Sequence, residues 1–164
     1  MEIGVDSVPR PLIADPAFDE SAFALSPDGH WIAYEANLTG KREVYVRPFP
    51  NVNAGSWQLS NGGGRAALWS RKGNELYFVN PARDMMAAAI APVRGTPGIG
   101  AITRLFHLRD EWWSRDEDYY TPHDIAPDGR FVMLERIKTD DKSQLSVVFV
   151  DHWLDELRRK VGKK

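Results

Sequence analysis

The sequence predicts an all-β protein, a β-propeller of about three four-stranded blades with a short helix at the C-terminal end. Three observations lead there. A strand–turn–strand unit recurs three times along the chain. Its first two copies are spaced as propeller blades are spaced. The chain is also rich in aromatic residues, glycine and proline, a composition that suits short strands punctuated by tight turns. Among its 164 residues are 6 tryptophans, 5 tyrosines and 7 phenylalanines, with 13 glycines and 11 prolines.

The recurring unit is Phe23-Ala24-Leu25-Ser26-Pro27-Asp28-Gly29-His30-Trp31-Ile32-Ala33-Tyr34, then Ala67 to Phe78, then His123 to Leu134. The first and third copies carry Pro-Asp-Gly, and the second carries Arg71-Lys72-Gly73. Proline presets φ for a turn, aspartate bonds the local backbone, and glycine takes positive φ without steric cost. The turn glycines fall at 29, 73 and 129. The first interval matches the roughly 40–45 residues of a four-stranded blade, and the second requires an insertion.

Taken in order, Arg10 to Ala14 reads as an outer strand whose own blade is absent. The first blade covers about residues 16–60: the repeat unit, a polar loop from Ala36 to Arg42, a strand Glu43-Val44-Tyr45-Val46-Arg47, and a short outer strand Trp57-Gln58-Leu59. Alternation of apolar and charged residues marks the third of these as a strand with one wet face. The second blade covers about 61–108, with a turn at Asn80 to Asp84, a strand Met85 to Ile90 and an outer strand Ile102 to His107. The third covers about 121–150, ends in the nearly all-apolar Gln144 to Val150, and has no outer strand of its own. Asp151 then suits an N-cap for a helix over about 151–161, with Trp153, Leu154, Leu157 and Val161 on one face and Arg158, Arg159 and Lys160 at the negative end of its dipole.

Composition excludes several functions. Net charge is −2 and the isoelectric point about 6.1, which gives no basic face for nucleic acid. There is no cysteine, so disulfides, thiolate zinc sites and cysteine nucleophiles are ruled out. No apolar run approaches the roughly 18 residues of a membrane span. Met1 to Asp6 has neither the basic nor the apolar region of a signal peptide. The four histidines show no i, i+4 pair of the kind that binds zinc, no Gly-x-Ser-x-Gly elbow occurs, and no kinase motif is present. The reading is of a protein without metal or cofactor.

In a propeller, the loops from outer strand to next inner strand share one face with the loops between second and third strands, and that face surrounds the channel mouth. The candidate ligand or partner residues lie there. Arg65 follows Gly62-Gly63-Gly64. Trp112, Trp113, Arg115, Tyr119 and Tyr120 belong to the insertion between Leu108 and Pro122, and His123 opens the next strand. Long loops on a rigid scaffold commonly carry binding, and aromatic rings among charges can stack on a sugar or grip a peptide. The alternative for Trp112 and Trp113 is structural, plugging the channel mouth or covering a blade edge. The alternatives for the others are a flexible turn at Gly62 to Gly64, a hydrogen-bonded structural role for His123 and a solvated acidic loop around Glu117.

Leu25-Ser26-Pro27-Asp28-Gly29-His30-Trp31-Ile32-Ala33-Tyr34 resembles the repeat of TolB-type, WD40-like propellers (PD40 repeats). Val44-Tyr45-Val46-Arg47-Pro48-Phe49-Pro50, Leu59 to Gly64 and the ending Val147 to Leu157 are similar to the C-terminal blades of bacterial kinase-linked or stand-alone propellers. The resemblance implies a six-bladed ring, of which this chain supplies about half. It implies either that N-terminal blades lie outside this chain or that two copies pair, residues 10–14 of each completing the last blade of the other. A periplasmic address follows only if the chain is part of a longer protein.

The functional expectation is a non-catalytic binding or scaffolding module. It presents the channel-mouth loops to a protein or peptide partner, as a free-standing unit or as the sensor part of a bacterial signalling protein. The alternative is an accessory propeller of a hydrolase or peptidase, or a propeller-type enzyme.

Overall fold

The computed structural model describes residues 11–93, 95–112, 121–138 and 143–150. It contains three antiparallel sheets. The first comprises β1 (Glu20–Leu25), β2 (Trp31–Ala36), β3 (Glu43–Pro48) and β4 (Trp57–Gln58). The second comprises β5 (Arg65–Trp69), β6 (Glu75–Val79), β7 (Asp84–Ile90) and β8 (Ile99–His107). The third comprises β9 (His123–Ile125), β10 (Phe131–Lys138) and β11 (Ser143–Val150). Within each sheet the strands lie side by side in chain order. The segment expected to form a helix over 151–161 lies outside the described residues.

The turn between the first two strands of each sheet is built by local chemistry. In the first sheet Gly29 N–H donates to the Ser26 carbonyl at 2.9 Å, and glycine 29 sits at φ 71°. Asp28 Oδ1 accepts from Ser26 Oγ at 2.5 Å and from His30 N–H at 3.1 Å, while Ser26 Oγ accepts from Trp31 N–H at 2.9 Å. These bonds hold the Asp28 carboxyl below its ordinary value, the hydroxyl of Ser26 contributing most. The second turn lacks Pro-Asp yet closes the same way, because Ser70 Oγ accepts from Glu75 N–H at 3.1 Å and donates to Asn74 Oδ1 at 3.1 Å. Ser26→Ala leaves the buried Trp31 N–H without its side-chain acceptor, so we expect a loss of about 1–3 kcal/mol. Urea denaturation of the variant beside the wild type measures it.

The third turn differs by one residue. Leu25 pairs with Ile32 and Trp69 with Leu76, but Ile125 pairs with Phe131, one position earlier in the repeat. Ala126 has no hydroxyl to hold the wider loop, and its N–H closes on the Arg130 carbonyl at 2.8 Å. Because side chains alternate along a strand, this slip turns residues 131–135 of β10 to the opposite face from the one the repeat predicts. Phe131 and Met133 therefore point back toward the second sheet.

The sheets stack face against face. The first seam joins Trp31, Ala33, Val44, Val46 and Leu59 to Ala67, Trp69, Leu76, Phe78, Ala88 and Ile90. The second joins Tyr77, Val79, Met85, Ala87 and Leu108 to Trp112, Ile125, Phe131 and Met133. Polar bonds cross both seams. Ala66 sits at φ 56° in a strand irregularity that turns its N–H out of its own sheet, and the N–H donates to the buried Glu35 at 2.6 Å. Trp69 Nε1 donates to the Ala24 carbonyl at 3.0 Å. Arg71 donates through Nε and Nη2 to the Ile125 carbonyl at 3.0 and 2.7 Å.

One expected element does not form. Residues 11–14 belong to no strand. Proline 11 has no N–H to give a ladder. Ile13 packs instead against the Tyr34, Ala36 and Tyr45 cluster on the outward side of its own sheet, beside Leu38.

Candidate functional site

The loops expected to share the channel-mouth face do converge on a cleft. It lies between the first and second sheets, has a volume of about 320 Å³, and is lined by Lys41, Arg42, Gly62, Gly63, Gly64, Arg65, Val79 and Pro81. Lys41 and Arg42 come from the β2–β3 loop, residues 62–64 from the β4–β5 connection, Arg65 from the start of β5, and Pro81 from the β6–β7 loop.

Buried carboxylates hold these loops. Glu43 begins β3 and is buried. Its Oε1 accepts from Gly63 N–H at 2.8 Å, and its Oε2 accepts from Ser60 Oγ, which in turn accepts from Val44 N–H at 2.9 Å. Gly64 N–H donates to the Arg42 carbonyl at 3.0 Å. A Cβ on Gly63 would collide with the Pro81 ring, and Gly63 lies at φ 122°, so the sequence has no residue but glycine to place there. The Arg42 guanidinium bonds Ser21 Oγ, pairs with Asp19 at 2.9 Å and approaches Glu35 at 3.8 Å. The cationic wall of the cleft is thus fixed in place, while Lys41 at its edge is exposed.

Arg65 is the candidate that lines this cleft. Trp112 and His123 stand elsewhere, on the seam between the second and third sheets. Trp112 is buried in the core there, with the Arg109 guanidinium 5.0 Å from its ring centroid. Its segment is clipped to the β6–β7 loop: Arg83 donates to Asp110 at 2.5 Å and to the Arg109 carbonyl at 2.6 Å, and Leu108 N–H donates to the Arg83 carbonyl at 2.8 Å. The Nε1 of Trp112 has no hydrogen-bond partner among the described residues.

His123 is buried, and neither ring nitrogen has a hydrogen-bond partner among the described residues. The His123 ring stands 6.4 Å from the Phe131 ring between centroids. Burial lowers its pKa from 6.5 to about 4, and the neighbouring Asp124 carboxylate opposes the shift. Trp113, Arg115, Tyr119 and Tyr120 lie outside the described residues.

Sequence reasoning did not single out Lys41, Arg42, Val79 or Pro81. Their signal was positional: second-to-third-strand loops share a face with the loop that holds Arg65. It did not single out Glu35 or Glu43 as buried acceptors.

No protein-family model and no curated protein matches the chain. Among solved structures it is similar to an oligogalacturonate lyase from Vibrio parahaemolyticus, with a TM-score of 0.55 and 12% identity over 80% of this chain and 38% of that one. An oligogalacturonate lyase in complex with manganese gives 0.53 and 15% identity over 76% of this chain and 32% of that one. TolB from Acinetobacter baumannii gives 0.49 and 15% identity over 80% and 30%. The chain thus spans about a third of the length of the structures it matches. Three stacked antiparallel sheets in chain order, together with the first two likenesses, make this chain a partial β-propeller.

Proposed function

We propose that this partial propeller is a non-catalytic binding module that takes a protein or peptide segment at its channel-mouth face. The observation that carries the reading is the cleft between the first two sheets. Val79 and Pro81 give it an apolar wall, and Lys41, Arg42 and Arg65 give it a cationic one. A segment with an apolar side chain followed by a carboxylate meets both walls. Because Arg42 and the glycine loop are already held by buried carboxylates, little ordering entropy is lost on binding.

Selection of displayed peptides on the immobilised protein, followed by fluorescence anisotropy, tests this. We expect selected sequences to pair apolar with acidic residues and to bind at least about tenfold more weakly to Lys41→Glu, a loss of about 1.4 kcal/mol. Peptides that bind this exposed-site variant and the wild type equally would remove the cleft from the reading. The second reading, a propeller-type enzyme or its accessory domain, draws support from the lyase neighbours through fold alone.

A further inference from the structure

One strip of the first sheet is bare where the repeat is covered elsewhere. Leu25 is 50% exposed and Phe23 51%. At the same places in the second sheet, Trp69 and Ala67 are 5% and 1% exposed and belong to the core shared with the first sheet. In the third sheet Ile125, at the place of Leu25, is 5% exposed against the second sheet. The outer part of the bare face is already covered by the chain's own Ile13 and Leu38. What stays open is the strip along β1, the region where β5 packs against the preceding sheet in the first seam.

At the opposite end of the stack the third sheet turns a partly exposed apolar edge outward. Strand alternation directs Val132 and Leu134 away from Phe131 and Met133, hence away from the second sheet. Asp124 is exposed beside them, paired in register with Val132.

We propose that a second copy of this chain covers the strip, its third sheet docking on β1 of the first copy and the converse, so that two copies close one ring. The contact continues the two seams already present, one sheet's outgoing face against the next sheet's incoming face, and such head-to-tail contacts close only when the rotation completes a circle. Blade number fits this occupant. The described residues form three sheets, and propellers typically close with about 4–8 blades. Two such sets fall inside the range, and three exceed it. The sequence suggested exchange of residues 10–14 between copies. With 11–14 outside any strand and Ile13 on its own sheet, the contact proposed here is face to face instead.

The first seam also tells which residues meet. Ala24 gives its carbonyl to Trp69, and the repeat sets Asp124 at the place of Ala24 and Leu25 at the place of Trp69. Asp124 of one copy therefore lies beside Leu25 of the other.

Light scattering after gel filtration is expected to give twice the 18.5 kDa chain mass, and Leu25→Arg to give a single chain mass with an unchanged far-ultraviolet circular dichroism spectrum. The half-exposed side chain can carry that charge in an isolated copy. Since the chain has no cysteine, the double variant Leu25→Cys/Asp124→Cys is expected to form a covalent dimer on oxidation, and Leu25→Cys alone is not. A wild type of single chain mass overturns the proposal and assigns the strip to a blade elsewhere in a longer polypeptide. A dimer that survives Leu25→Arg, or that crosslinks through Leu25→Cys alone, overturns it in favour of a different interface.

Discussion

Phe131→Ala is expected to cost about 3–5 kcal/mol, enough to use up a third or more of the stability of an ordinary domain. The ring is fully buried at the seam between the second and third sheets. It makes edge-to-face contacts with Tyr77 at 5.0 Å and Phe106 at 5.3 Å between centroids, which adds to the transfer term. Backbone pairing fixes β10 on both sides, to β9 and to β11, so the walls cannot collapse into the space left behind. The same truncation at the half-exposed Phe23 removes only partly buried area and should cost far less in an isolated chain. Equilibrium unfolding of the two variants, at one concentration and temperature, reads both numbers. A Phe131→Ala loss below about 1 kcal/mol would mean that the third sheet does not pack as described.

The second large effect is acid lability centred on His123. Its folded pKa, about 4, lies below the ordinary 6.5 because burial disfavours the imidazolium, and Asp124 only partly offsets this. Between those values the unfolded chain binds a proton that the folded chain refuses, so stability rises with pH across that window and falls as the solution is acidified. A shift of this size corresponds to up to about 3 kcal/mol near pH 4. The depressed carboxyls act in the same direction but lower down. Asp28, with Ser26 as its main stabiliser, and Asp84, whose bonds to His107 and Arg104 outweigh its desolvation, lose their contributions only below 3.8. The two windows separate the causes. His123→Leu is expected to abolish the slope between pH 4 and 6.5 while leaving the lower one, and to hold or raise stability at pH 7, since it removes two buried polar atoms that have no partner among the described residues. Chemical denaturation at intervals across this range provides the measurement. An undiminished slope in the variant would move the effect to another group.

Much of the fold was legible because its determinants are local. The turns at Gly29, Gly73 and Gly129 are set by residues within five positions of one another, and strand alternation reports which faces are wet. What was not legible depends on partners far along the chain. Glu35 looks like a solvated strand end, but it is the acceptor for an N–H 31 residues away that a left-handed Ala66 has turned out of its own sheet. The face reversal in β10 rests on a single missing hydroxyl at Ala126, invisible to an alignment that matches Pro-Asp-Gly to Pro-Asp-Gly. The candidate site divides in the same way. Arg65 was found because the connection that carries it is glycine-rich, whereas the two other loops of the cleft have no such mark.

Both seams resist shear. Hydrogen bonds are directional and fix register, while apolar side chains slide past one another at little cost until shapes clash. The first seam carries such bonds at its inner strand and at the rim, through Trp69, Ala66 and the Gly64–Arg42 contact. Among the described residues the second is bonded by the Arg71 guanidinium at its inner strand and by Arg83 on the Trp112 segment at its rim. The first seam is thus held in register along its inner strand and at its rim, and the second by Arg71 at its inner strand and by the Arg83 clip at its rim.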